Sequence, residues 1–139
     1  MRLLAAASVG LAEGELAPRR DAFRLEISAE RYLERCRLKT ARLFECACLI
    51  GADDTPGDRR GEALAKFGRE IGLAFQLLDD VLDVAGPAER TGKARGTDLL
   101  DGTVTLPLIL AREHDPALAE LDLRALDPAA AEAACDRIT

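Results

Sequence analysis

Histidine, large aromatic side chains and runs of basic charge are what this chain has least of. Its 139 residues include one histidine (His114), one tyrosine (Tyr32) and no tryptophan, and aromatic residues make up only 4%. The four cysteines, Cys36, Cys46, Cys48 and Cys135, form no C-x-x-C pair, so neither a zinc pattern nor a redox pair is available. Cys46 and Cys48 stand two apart on a predicted helix and point to different sides. The thiols therefore read as buried and reduced, as in a cytoplasmic protein. With a net charge of −6 and no basic run to neutralise phosphates, the composition excludes generic binding to DNA or RNA. Small anionic ligands stay open, because they need only a few placed cations or a bound metal. No apolar run is long enough to span a bilayer. The opening MRLLAAASVGLAEGEL weakly resembles a secretory leader, but its charged start is a single Arg2, and an Ala-rich first helix explains it equally well.

What the chain does have is alanine, leucine and helical spacing. At 48% hydrophobic residues it suits an all-α protein, and its length suits one domain, or part of a larger one, over 1–139. A first helix is expected from Met1 to about Ala17, ended by Pro18. Ser28 is placed to cap a second, which should run to about Ile50, with Tyr32, Cys36, Lys39 and Leu43 on one face. The loop GADDTPG follows, and Asp53 and Asp54 in it read as turn residues. A third helix is expected from about Asp58 to Ala85, stopped by Gly86-Pro87. Gly86 to Thr103 then reads as a long loop. Its Gly92-Lys93 pair does not meet the Walker spacing, yet Lys93 and Arg95 among glycines suit either anion contact or an ordinary solvated loop. Helices opening at Thr105, Asp115-Pro116 and Asp127-Pro128 complete the pattern, with His114 as a capping or surface residue.

The third helix carries the most chemistry. Asp79, Asp80 and Asp83 crowd its last turn at i, i+1 and i+4, where like charges repel and Asp is a mediocre helix former. A divalent cation, a cationic ligand or a basic partner would remove that penalty. Gly68, Gly72, Gln76, Asp79 and Asp83 form one stripe at steps of four, four, three and four, on a helix otherwise apolar nearly all round. Two readings fit this stripe. It faces an internal polar cavity, or its glycine half packs tightly on a neighbour and the aspartates lie at a solvated end.

Five motifs taken in order then resemble the trans-isoprenyl diphosphate synthases. They are Gly14-Glu15; Tyr32 with Lys39-Thr40-Ala41; Phe67 to Asp83; Gly92 to Asp98; and Thr105 to Pro107. The resemblance implies an all-α helical bundle of the isoprenoid synthase type, here incomplete. It implies head-to-tail condensation of isopentenyl diphosphate with an allylic diphosphate, with Mg²⁺ as the cofactor. The implied roles are Asp79 and Asp80 as Mg²⁺ ligands with Asp83 in support. Lys39 and Lys93 contact the allylic diphosphate, and Lys39, Thr40 and Gln76 line the reaction centre. Two positions depart from the family's pattern: Pro18 stands where Gln is usual, and Thr103 where Lys is usual. The larger departure is the missing first aspartate-rich motif. The chain therefore resembles the middle-to-C-terminal part of such an enzyme, expected to be incompetent alone and to act as a homodimer or with a complementary chain. A non-catalytic partner subunit is the competing reading.

Overall fold

The computed structural model describes residues 8–12, 20–52, 59–86 and 94–139. These form helices and connectors, with no strand among the described residues. Residues 8–12 are helical. The longer elements are α1 (Ala29–Cys36), a π turn (Arg37–Ala41), α2 (Arg42–Gly51), α3 (Arg59–Ala85), α4 (Thr97–Leu100), α5 (Leu106–Ala111), α6 (Pro116–Ala119), a 3₁₀ turn (Leu123–Ala125) and α7 (Pro128–Ile138). The predicted first helix beyond 8–12, the Gly14-Glu15 motif, Pro18, Asp53, Asp54, Gly92 and Lys93 lie outside the described residues. Contacts divide the chain into two compact units, one of 1–19 and 33–76, the other of 20–32 and 77–139.

The first unit is built on a close helix pair. Gly68 and Gly72 of α3 lie against α2 and the π turn. A Cβ on Gly68 would meet the Phe44 carbonyl oxygen at 2.7 Å, and one on Gly72 would meet Ala41 Cα at 2.8 Å. Only hydrogen fits there, which explains two glycines in a helix interior where each costs about 1 kcal/mol. Arg69 pairs with Glu45 across the same contact, and the Phe44 and Phe75 rings meet at 5.7 Å. The glycine half of the polar stripe is thus a packing contact, and the cavity reading does not hold for it.

A second expectation is corrected at the π turn. Tyr32 and Cys36 are buried, but Lys39 and Leu43 are not, and Ala41 and Cys46 are buried instead. The wider turn, closed by i→i+5 hydrogen bonds, delays the sequence by one residue and rotates everything after it. The four residues therefore do not share one face.

The second unit holds a conventional core of Ile27, Val84, Leu99, Val104, Leu108, Ile109, Leu118, Leu123 and Cys135. Its helix starts follow the sequence. Ser28 Oγ accepts from Arg31 N at 3.2 Å, Asp115 accepts from Ala117 N at 2.9 Å and Asp127 from Ala130 N at 2.8 Å. Thr105 occupies its expected cap position in extended backbone, but its hydroxyl makes no capping bond and is buried. Within the stretch read as a long loop from Gly86 to Thr103, Thr97 to Leu100 instead form the one-turn α4. Gly102, at φ +71°, ends that turn, and a Cβ there would collide with the Phe23 ring at 2.5 Å. Phe23 N donates to Gly102 O at 2.8 Å, and the Arg124 guanidinium covers the Phe23 ring at 4.4 Å.

The sequence pattern predicts a third helix buried nearly all round. It instead exposes Phe67 (59%), Ile71, Phe75, Leu78 (64%), Val81 and Leu82. Its apolar surface exceeds what the described elements cover. No described helix is long and apolar enough to cross a membrane.

Candidate functional site

The sequence-predicted site residues fall into both units. In the first, Thr40 sits on the π turn and Gln76 on α3, 36 residues apart in sequence, and the fold joins them: Thr40 Oγ1 donates to Gln76 Oε1 at 2.6 Å, partly buried. The donation commits the hydroxyl proton to Gln76 and orients the hydroxyl oxygen's lone pairs away from it. Lys39 is the neighbour of Thr40 on the same turn. A π turn at this point is a local departure from regular helix of the kind that gathers at functional positions. A charged groove of about 560 Å³ also lies in this unit, lined by Arg37, Arg42, Glu45, Arg69 and others, but Lys39, Thr40 and Gln76 are not among its walls.

In the second unit the acidic turn at the end of α3 is differentiated by environment. Asp79 is exposed, Asp83 is half-buried and Asp80 is buried at 5% exposure. Tyr32, itself 1% exposed, donates its phenol to Asp80 Oδ2 at 2.6 Å. That length is in the range of charge-assisted O–H···O⁻ bonds. Asp83 Oδ2 accepts from the Asp98 backbone N–H at 3.2 Å, and the Asp83 carbonyl accepts from Gly96 N at 2.9 Å. Arg95 closes the helix end: its Nε donates to Val84 O at 2.8 Å while its Nη1 pairs with Asp136 on α7, also at 2.8 Å. Gly96, at φ +74°, lets this segment fold back over α7, where a Cβ would approach the Cys135 sulfur at 3.0 Å. Burial pushes the Cys135 thiol above its ordinary range, as for an inert core cysteine. None of the four cysteines is in a disulfide.

The chain belongs to the polyprenyl synthetase family. The family model described as "Polyprenyl synthetase" matches residues 1–136. Among similar curated proteins are heptaprenyl diphosphate synthase component 2 of Bacillus subtilis, 37% identical over 84% of this chain, and octaprenyl diphosphate synthase of Escherichia coli, 42% identical over 75%. The chain covers 34% and 32% of these relatives, about a third of their length. Among solved structures, heptaprenyl diphosphate synthase from Staphylococcus aureus superposes with a TM-score of 0.88 at 31% identity. It covers 99% of this chain, which spans 44% of that one. A polyprenyl synthase from Caulobacter crescentus, solved with calcium and isoprenyl diphosphate, matches with the same score at 38% identity and the same coverage. The chain thus has the all-α fold of these synthases over part of their length.

Whether this acidic turn suits a metal is decided by its donors. Asp79, Asp80 and Asp83 offer only carboxylate oxygens, the hard donors that Mg²⁺ and Ca²⁺ prefer. Among the described residues no group of three or more His, Cys, Asp or Glu side chains converges on one point. Any ion here would have an incomplete protein shell, as fits Mg²⁺, which is usually held by one or two carboxylates together with phosphates and water. The donor set fits such an ion.

Sequence reasoning places Tyr32 in a motif but misses it as the partner of Asp80. It also misses the Asp98 backbone donor and the Arg95 helix clamp. The sequence separation between Tyr32 and Asp80 is 48 residues, and no local spacing announces such a contact.

Proposed function

We propose that this chain is part of a prenyl diphosphate synthase and supplies one acidic half of its Mg²⁺–diphosphate site. The observation that carries the reading is the α3 acidic turn, held from two sides by the Tyr32 phenol and the Asp98 amide in a chain of this family. The acidic turn would hold Mg²⁺ through its carboxylate oxygens. When bound, Mg²⁺ would take up charge from the leaving diphosphate as a Lewis acid. Lys39, and Lys93 beyond the described residues, would hold the diphosphate of an allylic substrate by charge. The lone pairs of the Thr40 hydroxyl, oriented by its bond to Gln76, would stabilise positive charge developing on the allylic carbon. The new carbon–carbon bond would form from the double bond of isopentenyl diphosphate, with loss of pyrophosphate and a proton.

The Bacillus and Geobacillus relatives carry the name "component 2", which favours a second reading within this one: the chain works with a complementary polypeptide. Binding separates both from a purely structural remnant. The purified chain should bind an allylic diphosphate in the presence of Mg²⁺ and lose that binding on chelation or in Asp79→Ala. Binding that is indifferent to both would contradict the reading.

A further inference from the structure

The three aspartates of the acidic turn do not occupy equivalent positions, and the difference assigns them different work. Asp79 and Asp83 are four residues apart and lie on one face of α3, exposed and half-buried. Asp80 stands about 100° around the helix from Asp79. It is 5% exposed, and its Oδ2 takes the Tyr32 phenol at 2.6 Å. Tyr32 lies in the first half of α1 and is itself almost wholly buried, so its ring cannot swing away without opening the core. A carboxylate inside the protein that accepts a short bond from a buried phenol is stabilised where it is. Turning it outward to an ion would break this short bond inside the core.

We propose that Tyr32 and Asp80 are a positioning pair. They fix the last turn of α3, so that Asp79 and Asp83 meet the cation and its diphosphate, and Asp80 acts without becoming a ligand itself. The inference rests on the metal–diphosphate reading of this turn.

The chain carries its own reporter. Tyr32 is the only tyrosine and there is no tryptophan, so the near-ultraviolet absorption band and intrinsic emission above the phenylalanine range come from this one ring. A phenol donating to an ionised carboxylate absorbs at longer wavelength than one donating to a neutral amide. Asp80→Asn keeps the side-chain size and an acceptor oxygen but removes the charge, and should move the Tyr32 band to shorter wavelength. Mg²⁺ with inorganic pyrophosphate, titrated into the full chain by calorimetry, should bind without moving the band. Asp80→Asn and Tyr32→Phe should weaken that binding about tenfold, the low end for groups that orient metal ligands. Asp79→Asn should weaken it with the band unmoved, and circular dichroism checks that each variant is folded.

A band that moves on Mg²⁺–pyrophosphate binding, as it does in Asp80→Asn, would overturn the proposal, because Asp80 would then be a ligand. Unchanged affinity in folded Asp80→Asn and Tyr32→Phe would overturn it as well. Failure of the unaltered chain to bind Mg²⁺ and pyrophosphate would overturn the underlying metal reading, and this inference with it.

Discussion

At the scale of single residues, the glycines of α3 separate packing from chemistry. Gly68 and Gly72 stand in the same stripe as Gln76, Asp79 and Asp83, and spacing alone allows two explanations for them. The contacts decide it, since neither glycine leaves room for a methyl group against α2 and the π turn. Gly72→Ala should therefore lower stability by about 1–3 kcal/mol, the usual penalty for overpacking, despite alanine's better helix propensity. Gly51, at the end of α2, has open space around the position a Cβ would take, and Gly51→Ala should be neutral or stabilising by up to about 1 kcal/mol. Urea unfolding of the two variants checks the pair; equal midpoints would mean that the close approach is relaxed at no cost.

At the scale of elements, most helices can be read from the chain because their signals are local. Ser28, Asp115 and Asp127 cap where their side chains predict, and Pro116 and Pro128 open helices as their fixed φ requires. Two features cannot be read. The π turn at Arg37–Ala41 has no composition signal, so a 3.6-residue period places Lys39 and Leu43 on the wrong face. The segment from Arg95 to Asp98 looks like loop because its glycine and charges are loop-like. Its order comes from α3 and α7, through Val84, Asp83 and Asp136. The candidate site divides the same way. The residue types and spacing are visible, while the bonds within each unit (Thr40 to Gln76 in the first, Tyr32 to Asp80 in the second) join residues far apart in sequence.

The α6 start gives a pH test at this scale. Asp115 both caps α6 and pairs with Arg137 of α7 at 2.7 Å. The Arg137 guanidinium, more than the Ala117 amide, holds its carboxyl below the ordinary carboxylate range. A depressed folded-state value means the contribution is present above the unfolded aspartate pKa and is lost as pH falls through the folded one. Asp115→Asn should lower the melting temperature at neutral pH, with the gap from the unaltered chain closing only in acid below the ordinary aspartate range. A gap independent of pH would show that the cap, and not the charge, carries the effect.

At the scale of the whole chain, the central fact is partial length joined to a high structural match. The chain follows solved synthases over 99% of itself while spanning 44% of them. The first unit leaves Phe67, Ile71 and Phe75 of α3 exposed, and the second leaves Leu78, Val81 and Leu82. Exposed apolar surface of this extent marks a face for a partner protein, a ligand groove or a membrane surface. The second unit also has an apolar groove of about 590 Å³ lined by Leu77, Val81, Leu106, Leu110 and Ile138. Helix α3 reads as buried all round because its sequence is written for neighbours on every side. The described elements provide only some of them. Asp79, Asp80 and Asp83 at the end of α3 are the acidic residues that this chain brings to the proposed synthase site.

That account is tested most directly by prenyl transfer itself. The purified chain is incubated with Mg²⁺, an allylic diphosphate and labelled isopentenyl diphosphate, alone and with a polypeptide that carries the first aspartate-rich motif. The expected result is no labelled product from the chain alone, product from the mixture, and loss of that product when Asp79→Ala replaces the unaltered chain. Robust product from the 139-residue chain by itself would contradict the claim that it supplies only one half of the site.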